Sequence, residues 1–281
     1  MSEGYGSASG VRGDRAIPGA VLSLFRCPET FRTGFLQSSS RDIVCTGSGR
    51  VYRYADGVVD FVWRTREPSL SQQLMESEFY SVGYETVFRP ALTRLVTAQT
   101  IETSMQLSVA MLRPPADGVV LDIGCGTGNF TRAMMQAMTP GTGLCVGLDL
   151  SAPMIRTAAR FRDAAELGRM HLVRGDAQLL PFADGSFDAV HTSAALQLVP
   201  DPRRAVLEMA RVLKPGGRVL VNTFVRSSGG LSRRMQNFMG RNTGFQWFSP
   251  ERLSALLAEA GLGVVEEVIE GAAISLLAQQ R

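Results

Sequence analysis

The stretch Val119 to Asn129, Val-Val-Leu-Asp-Ile-Gly-Cys-Gly-Thr-Gly-Asn, constrains this chain more than any other. An apolar run carrying one acid, Asp122, leads into glycines at 124, 126 and 128, and a helical pattern begins at Phe130. That pattern predicts a buried strand, a tight turn and a helix N-terminus. Glycines in such a turn let a ligand reach backbone that no Cβ shields. The spacing is Gly-x-Gly-x-Gly, not the Gly-x-Gly-x-x-Gly of dinucleotide sites. Asp122 also precedes the turn, where a pyrophosphate would pass. Two like charges ~4 Å apart repel by roughly 1 to 4 kcal/mol, so the turn favours a cationic ligand.

Downstream of this turn, strands and helices alternate. Strands are predicted at Val119–Ile123, Leu144–Leu148, His171–Arg174, Phe187–His191 and Arg218–Phe224. Helices are predicted over about 130–138, 152–166, 202–213 and 249–260, the second with Ser151 as N-cap and the last stopped by Gly261. Lys214-Pro215-Gly216-Gly217 predicts a turn, and Val264–Ile269 and Ala272–Leu277, joined at Glu270-Gly271, predict a closing hairpin. Alternating units of this kind form a mostly parallel, doubly wound sheet. In such a sheet ligands bind at the carboxyl ends of the strands. Three successive ends carry acids there: Asp122, Asp149 and Asp176. A carboxylate at 149 can accept ribose hydroxyls, and one at 176 an adenine amino group. The segment 192–197 after the fourth strand borders the remaining end of the ligand. S-adenosylmethionine, with an ammonium and a sulfonium beside a ribose and an adenine, fits the sign and the groups.

The rest of the chain divides as follows. Residues 1–19, Gly-, Ser- and Arg-rich, are expected to be disordered. Residues 20–63 alternate short β-rich pieces with turns and predict a small β-rich module. Residues 64–115 form a linker and N-terminal helices, with one helix predicted from Leu92 to Leu112 and stopped at Pro114-Pro115. Residues 116–281 form the main domain, which carries an insert at 226–248 rich in Met, Phe and Arg. No apolar run reaches the ~18 residues of a membrane span, and the first residues lack the apolar core of a secretory signal. A cytoplasmic location is expected. A net charge of +3 is too small to indicate nucleic acid. Cysteines 27, 45, 125 and 145 form no Cys-x-x-Cys pair, so no metal site is expected.

The combination of Leu-Asp-Ile-Gly-Cys-Gly-Thr-Gly, Gly-Leu-Asp-Leu-Ser-Ala-Pro-Met, Gly-Asp-Ala-Gln-Leu-Leu-Pro-Phe, Ser-Phe-Asp-Ala-Val-His and Leu-Lys-Pro-Gly-Gly over residues 119–220 resembles the class I S-adenosylmethionine-dependent methyltransferases of the ubiquinone/menaquinone-biosynthesis-like branch (methyltransferase type 11). The resemblance implies a Rossmann-like, doubly wound seven-stranded sheet with an antiparallel last strand. It implies cofactor contacts at Asp122, Gly124, Gly126, Asp149, Met154, Asp176 and Ala177, and with them Cys125, Thr127 and Leu150; Ser193 borders the methyl group. Residues 20–63 resemble a Trm112-like zinc ribbon in which Thr30 and Ser48 replace two of four cysteines beside Cys27 and Cys45. Hydroxyls are poor zinc ligands, so a zinc-free remnant is expected. Methyl transfer needs alignment first, and some acceptors also need a base. His191 is the candidate base; Tyr80, Tyr84 and Trp247 are candidates for the acceptor wall. The expected reaction is methylation of oxygen or carbon on a small, fairly apolar metabolite. A methyltransferase of RNA or protein, and a non-transferase cofactor-binding protein such as a cyclase or partner subunit, stand as alternatives.

Overall fold

The computed structural model describes residues 16–62, 100–225 and 245–280. The central strands form as their patterns predict. Five parallel strands, β5 (Val119–Ile123), β6 (Leu144–Asp149), β7 (Met170–Arg174), β8 (Phe187–Ser193) and β9 (Leu213–Phe224), lie in the order β7-β6-β5-β8-β9. The order reverses between β5 and β8, which opens a crevice above their carboxyl ends. β10 (Leu262–Glu270) and β11 (Ala273–Gln280) complete the seven. β11 inserts antiparallel between β9 and β10, so it alone of the seven runs against the rest.

Side chains of successive strand residues point to opposite faces, and two cores result. Val120, Leu220 and Leu172 face α2 (Ile101–Leu112), α3 (Asn129–Ala137) and α4 (Ala152–Ala164). Leu121, Ile123, Val190 and Val219 face α5 (Pro202–Val212) and α6 (Pro250–Glu259). Leu121, Val190 and Val219 are fully buried, each contributing roughly 1.5–3 kcal/mol of hydrophobic burial. Ser151, Asp201 and Ser249 cap α4, α5 and α6 by accepting amide hydrogens of Met154, Arg204 and Arg252.

Two features differ from the sequence expectations, and a third goes beyond them. Thr100 is extended (φ −87°, ψ 158°) and caps α2 by accepting the Thr103 amide. The helix therefore begins at Ile101, and the predicted helix from Leu92 is not continuous; residues 92–99 lie outside the described residues. The Lys214–Gly217 turn sits inside β9: Leu213 pairs with Phe187 and Arg218 with Ala189, so the loop bulges from the ladder. Lys214 then reaches Asp188 (2.7 Å), which also accepts the Val119 amide (2.8 Å).

The third feature is one the sequence did not address. The expected small β-rich N-terminal module forms, and it joins the main sheet. After the short helix α1 (Gly19–Leu22), strands β1 (Phe35–Ser39), β2 (Asp42–Cys45), β3 (Val51–Ala55) and β4 (Val58–Asp60) form an antiparallel meander. β4 then pairs in parallel with β7, giving one sheet of 11 strands. Phe25 stands 5.0 Å from Phe61 and 6.0 Å from Phe182, which stands 5.0 Å from Phe187. This aromatic row merges the meander's core with that of the main sheet. Order also begins earlier than expected: Ile17 is buried and its amide donates to Gln37 Oε1.

Within the meander two turns repeat one pattern. The Cys27 amide donates to Arg32 O and Phe31 N to Cys27 O; the Cys45 amide donates to Arg50 O and Gly49 N to Cys45 O. Phe31 and Gly49 both have positive φ. Cys27 Sγ lies 3.9 Å from Ser48 Oγ and 3.1 Å from the Tyr52 hydroxyl. Burial pushes the Cys27 thiol up, but hydrogen bonds from Thr30, Tyr52 and nearby amides win and hold it down at about 7.

Candidate functional site

The glycine turn is built against β6. Gly124 N and Cys125 N both donate to Leu148 O (2.8 and 3.0 Å), and Gly126 N donates to Asp149 Oδ2 (2.8 Å). Gly124 has φ +67°, and a Cβ there would overlap Ala195 Cβ. Gly126 has φ +56°, and a Cβ there would meet nothing within 4 Å. One glycine thus permits close packing and the next leaves open space for a ligand. That space belongs to a cleft of about 1050 Å³, counting its mouth, above the ends of β5, β6, β7 and β8.

Asp149, Leu150, Ser151 and Met154 form one wall of the cleft; Gly175, Asp176, Ala177 and Gln178 form the next. Asp149 Oδ1 accepts the Ser151 amide (2.8 Å) while Oδ2 accepts Gly126 N. Burial pushes its carboxyl above 3.8, the Ser151 and Gly126 amides pull it back part of the way, and the Asp122 charge adds a further push upward. Each oxygen retains lone-pair capacity for a further donor. Asp176 Oδ1 accepts the backbone and side-chain N–H groups of Gln178 (2.8 and 3.1 Å), and Gln178 Oε1 accepts the Asp201 amide. Gln178 therefore ties the strand-end acid to the start of α5. Ser193, Ala194, Ala195, Leu198, Val199 and Pro200 close the other side.

A second cavity, about 620 Å³, lies beyond β8 and β9. Ile101, Leu107, Phe130, Phe224, Val268 and Ile274 make it largely apolar; Ser104, Asn222 and Glu270 add polar groups. Of the residues lining it, Ser193 and Ala194 also line the cleft. Ala194 adopts φ +52°, a strained backbone for a residue with a Cβ. Strain of this kind persists only where surrounding contacts hold it, and the Ala194 amide is held by Asn222 O (2.9 Å).

Several predicted residues line the cleft: Gly124, Gly126, Asp149, Leu150, Met154, Asp176, Ala177 and Ser193. Asp122, Cys125 and Thr127 do not; they are buried beneath the turn. Asp122 accepts the Thr131 hydroxyl on Oδ2, and its Oδ1 lies 2.7 Å from His191 Nδ1. Burial pushes the Cys125 thiol up, far from a reactive thiolate. His191 is fully buried and lines neither space. Asn222 Nδ2 lies 3.2 Å from its Nε2; with Nε2 accepting from that amide, Nδ1 donates to Asp122. Asn222 Nδ2 also donates to Ser108 Oγ (2.7 Å), and Ser108 donates to Ser104 O (2.8 Å). This chain braces β5 against β8, β9 and α2, and it places Asn222, which lines the second cavity, between His191 and that space.

Tyr80, Tyr84 and residues 226–244 of the insert, with Arg226, Arg233, Arg234 and Arg241, lie outside the described residues. The Trp247 ring packs at a tilt against Phe245 (4.5 Å), which lies 6.4 Å from Phe224 on the second cavity's wall. Gln246 donates through its amide to Gln197 O and through Nε2 to Val199 O (both 2.8 Å), so the end of the insert pins the loop that covers the cleft. Thr192 opens the predicted 192–197 segment and lines the cleft; sequence reasoning missed Gln178 and the Leu198–Pro200 cover. Gln178 was findable from its place two residues after a strand-end acid; the cover has no periodic signal. Thr192 is buried on the cleft wall, and its Oγ1 lacks a partner. Among the described residues no cluster of three His, Cys, Asp or Glu could hold a metal, and no helix is long and apolar enough to cross a membrane.

A family model described as a methyltransferase domain matches residues 121–221. Two chloroplastic uncharacterised methyltransferases of Arabidopsis thaliana are 37% and 28% identical over 44% and 75% of this chain. The matches span 36% and 60% of those relatives' own lengths. A demethylmenaquinone methyltransferase of Roseiflexus is 33% identical over 69% of this chain and 74% of that one. The crystal structure of an S-adenosylmethionine-dependent methyltransferase from Aquifex aeolicus superposes with a TM-score of 0.56 at 15% identity, covering 73% of this chain and 99% of that one.

Proposed function

Because the chain belongs to the S-adenosylmethionine-dependent methyltransferases, we propose that it moves a methyl group from that cofactor onto oxygen or carbon of a small, fairly apolar acceptor held in the second cavity. One observation carries the reading. The cleft with the ribose-accepting carboxylate and the apolar cavity meet at a wall made by Ser193 and Ala194.

The residues present fit the cofactor. Asp149 has acceptor capacity on both oxygens. Asp176 stands one strand further along, Gly126 opens onto free space, and Thr192, whose buried hydroxyl has no partner among the described residues, is part of the same wall. Asp149 would hold the ribose, Asp176 and Ala177 the adenine under Leu198 and Pro200, and the 124–126 turn the methionine end. When bound, the sulfonium supplies an activated methyl group. The chain's own contribution is alignment and exclusion of water, which together reduce the barrier by several kcal/mol. Asp122 places a negative charge behind the turn, where a cationic ligand is favoured. The fixed His191 tautomer keeps that charge in place.

No histidine lines the acceptor cavity among the described residues. An acceptor that is itself acidic or electron-rich suits such a site: a phenol, an enol or a quinol carbon. The name of the Roseiflexus relative speaks of a quinone precursor, and the apolar lining supports an acceptor of related chemistry. Calorimetry is expected to show S-adenosylmethionine binding, weakened at least about tenfold by Asp149→Ala, the loss of a charged hydrogen-bonding group. Labelled methyl is expected in quinol and phenol acceptors rather than in bulk RNA or protein. Absence of cofactor binding refutes the reading; binding without transfer to any of the three pools points to a non-transferase protein instead.

A further inference from the structure

β4 lies outside the segment matched by the methyltransferase model, yet it reaches the ribose side of the cleft. Asp60, its last residue, pairs with Arg174, the last residue of β7, and Phe61 N donates to Arg174 O (2.9 Å). The Arg174 side chain then bridges two groups. Nη1 donates to Asp60 Oδ2 (3.0 Å), and Nε donates to the Leu150 carbonyl (3.0 Å). Asp60 is itself held, because its Oδ1 accepts the Val62 amide (2.9 Å). Leu150 sits between Asp149 and Ser151, and all three line the cleft. On the helix behind them Arg162 makes a second tie, donating to Gly57 O (2.9 Å) and Asp56 O (3.3 Å) in the β3–β4 turn.

From this we infer that residues 16–62 are a working part of the cofactor site: Asp60 acts through Arg174 to set the Leu150 carbonyl, and so the position of the ribose-binding carboxylate Asp149. Arg174 and Asp60 are positioning residues, since neither lines the cleft. Their side chains are 23% and 32% exposed, so the ion pair itself adds little stability. What it supplies is geometry, because a planar guanidinium fixes two acceptors at a set spacing. In the variant Asp60→Asn one of the two acceptor oxygens becomes an amide nitrogen, so either Arg174 or the Val62 amide loses its acceptor, and the charge that holds the fork is gone in both cases. A lysine at 174 has one compact ammonium and satisfies one acceptor at a time.

The inference rests on Asp149 as the ribose acceptor, so the unsubstituted protein and Asp149→Ala are measured alongside. Calorimetric titration of the full chain with S-adenosylmethionine and, separately, with adenosine should show both ligands weakened by the same factor. About 5-fold is expected for D60N and about 10-fold or more for R174M, with R174K between; these are the sizes of one lost charged hydrogen bond at a partly exposed site. The double variant D60N/R174M should bind no worse than R174M alone, because Asp60 acts through the arginine. Arg203→Met, which breaks the exposed pair with Glu259 on another face, should leave both affinities unchanged. Melting of the ligand-free variants should stay within about 5 °C of the parent, the scale of 1–2 kcal/mol in a protein of this size. The inference is overturned if D60N binds like the parent, if the two substitutions multiply, or if adenosine affinity holds while S-adenosylmethionine affinity falls. Failure of the parent itself to bind would instead overturn the cofactor reading.

Discussion

A carboxyl enclosed like Asp149 resists ionisation until a ligand donates to it. Its pKa in the ligand-free protein is pushed up from 3.8 by burial, and the Ser151, Gly126 and Leu150 amides offset that only in part. The signs of the two consequences are opposite. A carboxyl with a raised folded pKa contributes most to stability below its ordinary value and loses that contribution as pH rises through the raised one. Ribose hydroxyls donate to the charged form, so the bound pKa is lower, and cofactor affinity rises with pH over the same interval. Affinity measured between about pH 4 and 7 should weaken on acidification at a pH above the ordinary carboxylate range. Calorimetry in buffers of different ionisation enthalpy should count proton release on binding there. Asp149→Asn should remove both effects; a parent affinity that is flat over this interval is incompatible with the role given to Asp149. Asp149, Asp176 and the glycines were legible in the sequence because each interrupts an apolar strand at its carboxyl end. The partners of Asp122 were not, because His191 lies 69 residues away and no local pattern reveals which side of a turn an acid faces.

At the scale of elements, the two cysteine turns are the sharpest case of a pattern half kept. Two backbone hydrogen bonds recur in both turns, and Thr30 and Ser48 occupy matching places three residues after Cys27 and Cys45. Tetrahedral zinc needs thiolate, imidazole or carboxylate ligands, and a hydroxyl at two of four places leaves too weak a set. The protein as it stands is expected to carry no stoichiometric zinc by metal analysis. The double variant T30C/S48C is expected to gain about one zinc per chain, and with cobalt in its place the intense thiolate bands of a four-sulfur tetrahedral site. A zinc-loaded parent would contradict this reading, as would a double variant that takes up no metal. The start of α2 shows the converse limit. The apolar repeat runs from Leu92 through Thr100 without a break, but a single threonine in extended conformation, accepting the Thr103 amide, sets the helix start. A cap is one residue's choice between its own hydrogen bond and the helix ladder, and periodicity averages over it.

For the molecule as a whole, the small β-rich N-terminal module was legible along the chain, but its attachment to the main sheet was not. The turn-rich texture of residues 20–63 marks four short strands, and those strands form. Their docking was invisible because β4 pairs with β7 across more than a hundred residues, with Val58 against Leu172. The parallel contact has no turn of its own to announce it. The consequence is energetic. Removal of residues 1–62 would bare the face of Phe182, fully buried, on which Phe25 packs and leave β7 as an unpaired edge. Lost burial of that one ring amounts to as much as roughly 1.5–3 kcal/mol, a sizeable part of the ~5–15 kcal/mol that holds a typical domain together. A hydrophobic strand edge of this kind also invites association. A chain starting at residue 63 should therefore melt at least about 10 °C below the parent or aggregate, and in hydrogen exchange its loss of protection should be greatest at Met170–Arg174. If the shortened protein melts with the parent and protects β7 equally, the meander is an appendage, and the 11-stranded sheet is not the cooperative unit of this fold.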